Sequence, residues 1–265
     1  MNSKYEINRK LSLPNTTALS ALLYGVLGVF LLTALLLTGA KSQLVRAYSA
    51  PAFFQGMDPA KVAAAIKGNA QSLKAFSYQQ RTQLQLKGET KKVTLNQMDY
   101  DSDGKLRKTL LSEQPAANSQ QSSGGGRGGR LKQRVVARKK GEFKEMMEGI
   151  ASLVKSYTEL PPEQLQAALK HAAFSPGQGD MEGAIQIQMH NVIRQGDSLT
   201  LWIDHATMLF RKVAIATNYE GNPVTATANY AMLPTSQVYM AKSILNYPKK
   251  QVVVEIDNLN YQQGR

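Results

Sequence analysis

Six strand-like segments fill the last third of this 265-residue chain and constrain its fold more than any other feature. Each alternates apolar and polar residues or stays apolar for several positions, and turn residues separate one from the next. A spacing of about 12–15 residues per strand is typical of an antiparallel meander. The predicted strands are residues 184–193, 199–204, 208–217, 223–233, 237–245 and 251–259.

A second group of strands lies before the middle of the chain. Residues 76–86 alternate, with Phe76 and Tyr78 on one face and polar residues between them, which predicts a strand. Two more strands are predicted at residues 93–97 and 106–111. A further, strongly basic strand is predicted at residues 131–138.

The middle of the chain is predicted to be helical, because apolar residues recur there at three- and four-residue spacing. Another short helix is predicted after Pro161-Pro162, and Asp58-Pro59 has the N-cap and first-turn residues of a helix start. The residues on the shared face of the central helix are Phe143, Met146, Met147, Ile150, Leu153, Val154 and Tyr157.

The order helix, strands, helices, strands predicts an α+β protein. Nine or so consecutive antiparallel strands usually curl, because a twisted sheet of that width does not stay flat. We therefore predict an open antiparallel β half-barrel with helices covering its concave side.

The N-terminus carries a separate targeting feature. Residues 17–40 contain no charge and follow a basic start at Lys4, Arg9 and Lys10. A helix of that length can span a bilayer core of about 30 Å, which favours an uncleaved anchor. Small residues at 38–40 and 50–52 suit signal peptidase instead. The segment is predicted to be a signal peptide or a signal anchor, with the N-terminus in the cytoplasm.

These observations predict a division of the chain. Residues 1–40 form the targeting segment, 41–56 a linker, 57–261 the folded domain and 262–265 a tail. A polar glycine-serine loop at residues 112–130 interrupts the domain. The chain has no cysteine, which excludes disulfides and thiolate sites and suits a bacterial periplasm. The domain is predicted to be periplasmic, either secreted or tethered to the inner membrane.

The chain has a net charge of +13, and a run between positions 127 and 140 contains bases but no acid. One interpretation is an acidic partner, with the inner-membrane surface favoured over nucleic acid. The other is a strand edge on which basic residues block unwanted pairing. The run consists of Arg127, Arg130, Lys132, Arg134, Arg138, Lys139 and Lys140.

Asp99, Asp101 and Asp103, followed by Gly104, match the first half of a calcium loop. The acid expected at the twelfth position is Leu110, so the ligand set is incomplete. The same residues are typical of a plain turn, and we expect no metal site.

No catalytic residues and no cofactor are predicted. The three histidines, His171, His190 and His205, lie in no ligand spacing, and no nucleophile or phosphate-binding motif is present. The arginine-glycine stretch at 127–130 has no interleaved aromatic residues, so nucleic acid is not an expected partner.

An apolar cavity is a better match to the composition, because flexible methionine side chains suit irregular apolar spaces. Residues on both faces of the 208–217 strand are apolar, so that one face could line a cavity; a strand buried on both faces is the alternative. The predicted lining residues are Phe76, Tyr78, Met146, Met147, Ile150, Trp202, Met208, Phe210, Tyr230 and Met232.

Trp202-Ile203-Asp204, followed by Thr207 and Arg211, resembles the hairpin motif of the LolA/LolB-like lipoprotein carriers. The element order over residues 57–261 is also similar to theirs. The resemblance implies an open barrel closed by helices around a cavity for acyl chains. The glycine-serine loop and the possible N-terminal anchor depart from that pattern.

The expected function is therefore non-catalytic binding or carriage of a lipid or a lipoprotein acyl chain. The alternative is a membrane-anchored structural or accessory subunit of an envelope complex, with a protein partner. An open barrel interior would favour the first and a filled interior the second.

Overall fold

The computed structural model describes residues 59–115 and 129–264. The targeting segment, the linker and most of the glycine-serine loop lie outside the described residues. Within the described ranges, no helix has both the length and the hydropathy needed to cross a membrane.

The described residues form three α-helices and ten β-strands, with two short 3₁₀ turns. The helices are α1 (Pro59–Leu73), α2 (Gly129–Thr158) and α3 (Pro162–Leu169). The strands are β1 (Phe76–Leu86), β2 (Glu89–Tyr100), β3 (Leu106–Pro115), β4 (Ala173–Pro176), β5 (Ala184–His190), β6 (Ser198–Asp204), β7 (Phe210–Tyr219), β8 (Asn222–Met232), β9 (Val238–Tyr247) and β10 (Val252–Gln263).

All ten strands join one antiparallel sheet in the order β3-β2-β1-β10-β9-β8-β7-β6-β5-β4. The last strand therefore pairs with the first, and this junction lies inside the sheet. β3 and β4 are its two edges, so the sheet is not closed. The predicted α+β class and the open antiparallel half-barrel are confirmed.

Two hairpins turn through pairs of residues with positive φ. Lys87 and Gly88 have φ of 56° and 77° between β1 and β2, and Glu220 and Gly221 have φ of 51° and 73° between β7 and β8. Two-residue turns of this kind match the right-handed twist of the strands, and glycine in the second position adopts the conformation without a Cβ clash.

The helices pack on one face of the sheet, which we call the inner face. The stripe on α2 points into it: Met147, Ile150, Val154 and Tyr157 are all at most 1% exposed. They pack against strand residues that alternate along each strand, such as Ile185 and Leu199. Burial of these alternating residues fixes which face of each strand lies under the helices.

Helix α2 approaches the sheet closely at Gly149. A Cβ atom added there would lie 2.3 Å from the Tyr219 hydroxyl and 2.8 Å from two ring carbons. Only glycine allows this separation between the helix and β7. The Tyr219 ring is held in turn by an edge-on contact with Tyr247, at 6.3 Å between centroids.

A buried polar network holds the C-terminal end of α2. The Tyr157 hydroxyl donates to Asp197 Oδ2 at 2.6 Å, and Thr217 Oγ1 lies 2.8 Å from the same hydroxyl. The Asp197 carboxylate also accepts three backbone N–H groups from the loop before β6, those of residues 192–194. Burial is the main cause that raises the pKa of Tyr157, followed by its hydrogen bond to Asp197.

The prediction of a basic strand at residues 131–138 is wrong. These residues belong to α2, which runs unbroken for 30 residues from Gly129. Leu131 and Val135 are four positions apart, which is a helical spacing, and the segment continues directly into the apolar stripe of the same helix. The reading of this run as a strand edge is therefore overturned.

The strand β4 is not among the predicted strands. It has only four residues, ends at Pro176 and pairs with β5 alone. A short edge strand that ends in proline is typical of a protected sheet edge. β5 also stops at His190, three residues before its predicted end.

Candidate ligand-binding face

The inner face has two parts with different side chains. The packed part lies under the helices on β5 to β9 and most of β10, and its residues form one continuous apolar core. The aromatic part lies on β1 to β3 and the end of β10. There Tyr78 and Met98 form a second, smaller cluster, with Leu106 and Tyr261 packed against it.

The aromatic part is built by strand register. Tyr78 of β1 is opposite Met98 of β2, and Met98 is opposite Lys108 of β3. Residues directly opposite in antiparallel strands point to the same face. The three side chains therefore form a row across the inner face. Leu106 and Leu110 lie two residues on either side of Lys108, so they share that face.

Tyr261 joins this face because of a bulge in β10. Asn260 has a φ of 53°, and the pairing with β1 shifts by one residue between Ser77 and Gln79. The extra residue reverses the alternation, as β-bulges do. The Tyr261 ring consequently stacks on Tyr78 at 4.7 Å between centroids, with 7° between the planes. Tyr239 contacts the Tyr261 ring at 4.3 Å.

A chain of amides marks the border between the two parts. Gln80 Nε2 donates to Asn258 Oδ1 at 2.7 Å, and Asn258 Nδ2 donates to the Met240 carbonyl at 2.8 Å. Both amide side chains are buried. Among the described residues, Gln80 Oε1 and the buried Ser243 hydroxyl have no hydrogen-bond partner. The inner face is thus polar where the aromatic part meets the core.

Ionisable groups on the aromatic part have shifted pKa values. Burial, followed by the nearby positive charge of Lys92, lowers the pKa of Lys108 to about 8. Burial raises the pKa of Tyr100. Burial also raises the pKa of Tyr261, with smaller contributions from neighbouring tyrosines. Burial therefore disfavours the charged forms of these three groups, whereas Leu110 on the same face is 55% exposed.

Several residues predicted to line a cavity lie in the packed part. Met147 and Ile150 are 1% and 0% exposed, so they fill the space between α2 and the sheet. Met146 is half-buried and packs against the same core. Phe210 is buried, and its ring lies 5.8 Å from that of Tyr230.

The other predicted lining residues are dispersed. Phe76 and Tyr78 are buried at the start of β1, where Tyr78 belongs to the aromatic part. Met208 lies in the β6–β7 turn with a φ of 58°. Met232 is 55% exposed at the end of β8. Trp202 alternates with the buried Leu201 and Ile203, so it points to the outer face.

On that outer face, the ammonium group of Lys212 lies 5.2 Å from the Trp202 ring centroid. The remaining residues of the hairpin motif hold local structure. Asp204 Oδ1 accepts the Thr207 N–H at 2.9 Å and lies 3.0 Å from the Thr207 hydroxyl, which closes the turn. Arg211 donates to the carbonyls of Asp180 and Glu182 and so ties β7 to the loop before β5. The motif stabilises a corner of the sheet.

The acidic residues of the candidate calcium loop are engaged otherwise. Asp101 Oδ1 accepts the N–H groups of Asp103 and Lys105 at 3.0 and 2.9 Å, which is a turn cap. Asp99 pairs with Arg107 at 2.8 Å. In the described ranges no group of three potential metal ligands comes together.

The basic run lies on the first turns of α2, apart from Arg127, which is outside the described residues. Arg138, Lys139 and Lys140 are exposed. Arg138 pairs with Glu142 one turn along at 3.3 Å. Among the α2 side chains that the structure describes, Phe143 and Met146 are the first to pack against the core and Met147 is the first that is fully buried.

The sequence prediction missed most of the aromatic part, namely Met98, Leu106, Lys108, Leu110 and Tyr261. The alternation of residues 106, 108 and 110 indicated a strand, but it did not show that this face continues the inner face. Only the pairing of β3 with β2 and of β2 with β1 shows that.

No protein-family model matches the chain, and no curated protein matches it. Among solved structures, the chain is similar to a LolA superfamily protein of Nitrosomonas europaea, with a TM-score of 0.32 and 11% identity, covering 74% of this chain and 93% of that one. It is also similar to a domain named as an outer membrane lipoprotein-sorting protein from Vibrio parahaemolyticus, with a TM-score of 0.29 and 12% identity, covering 75% and 92%. A DUF1329 family protein from Desulfovibrio piger has a TM-score of 0.34 and 9% identity, covering 78% and 94%. At these scores the likeness is not extended to function.

Proposed function

We propose that this chain is a non-catalytic binding domain of the cell envelope for a hydrophobic ligand, a lipid or a lipoprotein acyl chain. The observation that supports it best is the aromatic part of the inner face. Its apolar residues extend the apolar inner face beyond the core, and one of them, Leu110, is 55% exposed. An exposed leucine on the inner side of a curved sheet is a contact that an acyl chain can bury.

The packed part of the inner face leaves ligand binding to the aromatic part. Its interior is filled by side chains such as Met147 and Ile150, so it stabilises the fold. Ligand contacts are therefore expected on β1 to β3. An acyl chain laid on Leu106 and Leu110 would gain about 0.8 kcal/mol for each methylene that it buries.

The basic end of α2 supports a place next to the inner membrane. Exposed Arg138, Lys139 and Lys140 carry three positive charges, and one of them is offset by Glu142. Basic residues near an anionic bilayer contribute about 1 kcal/mol each. Residues 17–40 would then serve as the export signal or tether, and this part of the proposal is carried by the sequence alone.

Two leucine variants test the proposed ligand face. The full chain is isolated from envelope membranes, and copurifying lipid is measured by native mass spectrometry. Leu110→Glu should lower the lipid-bound fraction at least about fivefold, because it places a charge where the chain lies. Leu259→Glu is the matched control, since Leu259 is 43% exposed and lies opposite Gln79 on the outer face.

Equal lipid occupancy in the two variants, or no lipid in the wild-type chain, would contradict the proposal. Thermal unfolding of both variants checks that each is folded. Exposed positions tolerate such changes within about 0.5 kcal/mol.

A structural role in an envelope complex is the second candidate. β3 is a sheet edge, and its exposed Leu110 and Leu111 could pair with a strand of another protein. A stoichiometric protein partner that is lost in Leu111→Lys, together with an absence of copurifying lipid, would favour this role over ligand binding.

A further inference from the structure

One rim of the sheet carries no charge across four neighbouring strands. β8 and β10 end at this rim, and β9 and β1 begin there. The residues that build these strand ends, at 75–80, 229–241 and 258–264, include no acidic or basic side chain. We call this section the apolar rim. The turn between β2 and β3, which carries Asp101 and Asp103, bounds it on one side.

Large apolar side chains are exposed at the apolar rim. Of the four that are exposed in the described ranges, two lie here and two lie on the edge strand β3. Met232, at the end of β8, is 55% exposed, and Leu259, near the end of β10, is 43% exposed. Exposed apolar residues that are grouped on one part of a surface mark a site of interaction.

The hairpin between β8 and β9 holds Met232 in a defined position. Met232 is opposite Val238, and the Leu233 N–H donates to the Gln237 carbonyl at 2.7 Å to close the turn. The side chain of Asn69 in α1 accepts the Val238 N–H at 2.7 Å and donates to the Val238 carbonyl at 2.6 Å. The exposed methionine is therefore presented by a hairpin that is fastened to a helix.

Two tyrosines lie next to the exposed side chains. Tyr239 is opposite Ala231, the residue before Met232. Its ring contacts that of Tyr261, two residues beyond Leu259, at 4.3 Å between centroids. Both tyrosines are half-buried. Tyrosine is enriched at the boundary between membrane and water, because its ring is apolar and its hydroxyl is polar.

The opposite rim of the same strands has the reverse character. The β1–β2 and β9–β10 turns lie side by side there, since the Lys87 N–H donates to the Gln251 carbonyl at 2.8 Å. Lys87, Lys249 and Lys250 are all exposed at these turns. The four strands thus run from a rim with charged side chains to a rim without any, which fits contact with water at one end and lipid at the other.

We propose that the apolar rim is a membrane-contact surface that inserts Met232 and Leu259 into the interfacial layer of a bilayer. Tyr239 and Tyr261 then lie at the level of the lipid head groups. No charged group has to leave water at this rim, which contact with lipid demands more strictly than contact with a protein does. The inference goes beyond the proposed function, because bilayer contact at the rim requires no bound ligand.

The chain outside the described residues supports the same partner. By sequence, residues 17–40 can span a bilayer, and a chain as long as residues 41–58 reaches at most about 60 Å. That chain leads into α1, whose Asn69 is fastened to the apolar rim. A tether of this length keeps the rim within reach of the membrane.

The test uses the absence of cysteine from the chain. Met232→Cys and Leu111→Cys each provide one thiol for a nitrobenzoxadiazole fluorophore, and the full chain is placed in neutral phosphatidylcholine vesicles that contain spin-labelled lipid. Leu111 is the matched control, because it is 49% exposed and lies on β3. Quenching should be at least about threefold stronger at position 232 than at position 111, and high salt should not change it, since the contact is apolar.

Further variants assign the contact to the side chain at position 232. With the fluorophore on Leu259→Cys, Met232→Glu should reduce quenching at least about threefold, because a carboxylate resists transfer into lipid. Met232→Leu should leave quenching unchanged, because it retains an apolar side chain of similar size. Thermal unfolding checks that both variants are folded.

Equal quenching at positions 232 and 111 overturns the proposal. Quenching that high salt abolishes also overturns it, because charged residues elsewhere then make the contact. A shift of the fluorophore emission without vesicles that grows with protein concentration identifies a second copy of the chain as the partner and excludes lipid. Lipid occupancy in Leu110→Glu is a separate measurement, so failure at the rim leaves the proposed ligand face standing.

Discussion

The packed part and the aromatic part of the inner face belong to the same sheet but carry different chemistry. On β5 to β9, most inward side chains are aliphatic and belong to the apolar core, which also contains Met189, Phe210 and Tyr247. On β1 to β3, tyrosine, methionine, amides, threonine and lysine lie among the inward leucines. The first set is what a stable core requires, whereas the second keeps polar groups where burial costs free energy. Under the proposed function, the packed part provides stability and the aromatic part provides ligand contacts.

The largest difference in stability is expected when one side chain is shortened to alanine in each part of the inner face. Ile150→Ala should lower the free energy of unfolding by about 2–5 kcal/mol, because it leaves a cavity under α2. Leu110→Ala should change it by less than about 0.5 kcal/mol, since the side chain is largely exposed. Urea unfolding of both variants measures the contrast. Similar losses at the two positions would show that the aromatic part is also core.

A second test asks how closely the helix must approach the packed part. Gly149→Ala should cost about 1–3 kcal/mol, because the new methyl group meets the Tyr219 ring and forces either the ring or the helix to move. Gly141→Ala in the same helix is the control, with open space around its Cα and an expected gain from helix propensity. Thermal melts that rank the two variants in the opposite order would contradict the close packing.

The buried network at the end of α2 gives a third, smaller effect. Tyr157→Phe removes the hydroxyl that donates to Asp197 while the carboxylate keeps its three backbone N–H groups. A loss of about 1–2 kcal/mol is expected. Chemical denaturation measures it, and hydrogen exchange at residues 192–194 should increase. Unchanged protection of that loop would mean that the tyrosine does not hold it.

The smallest effect on stability is expected at Lys108. Unlike the three substitutions above, replacing this residue is expected to raise the stability. The pKa of Lys108 falls from its ordinary value of 10.5 to about 8 on folding, so the unfolded chain binds more protons between these values. Stability should therefore rise with pH from about 8 to 10.5, and the disadvantage is fully present below pH 8. Lys108→Met should melt at a slightly higher temperature than the wild-type chain at pH 7.

The difference between wild type and Lys108→Met isolates this contribution. Tyr100 and Tyr261, whose pKa values are raised by burial, lower the stability of both proteins above pH 10. The difference in melting temperature should shrink as pH rises from 8 to 10.5. A constant difference would mean that the substitution acts through packing alone.

Strand alternation and turn residues were enough to predict the sheet, because burial on one face repeats every second residue. Predictions from alternation were wrong where the local residue pattern does not match the strand pairing or helix of the folded chain. Residues 131–138 alternate weakly, but they belong to the same helix as the apolar stripe from Phe143 to Tyr157. Simple alternation from Val252 would also place Tyr261 on the outer face. The bulge at Asn260 returns it to the inner face, and no residue type in β10 demands that bulge.

The candidate site was harder to predict than the fold. Methionine content and apolar strands drew attention to Met147, Ile150 and Phe210, which the structure places in the core. Trp202 and Arg211 carried the family resemblance, yet they hold the outer face and a corner of the sheet. Lys108 was not predicted as a residue of this face, because its neighbours Met98 and Tyr78 come from two other strands.

The pairing of β1 with β10 has a consequence for how the domain forms. These strands are separated by more than 160 residues of sequence, so the sheet is completed only when residues 252–263 are available. Contacts this distant along the chain make folding slow. A chain that stopped before β10 would leave β1 and β9 as two long unpaired edges, each a template for aggregation. The strands β1 to β3, although made early, thus cannot join the rest of the sheet until β10 has been made.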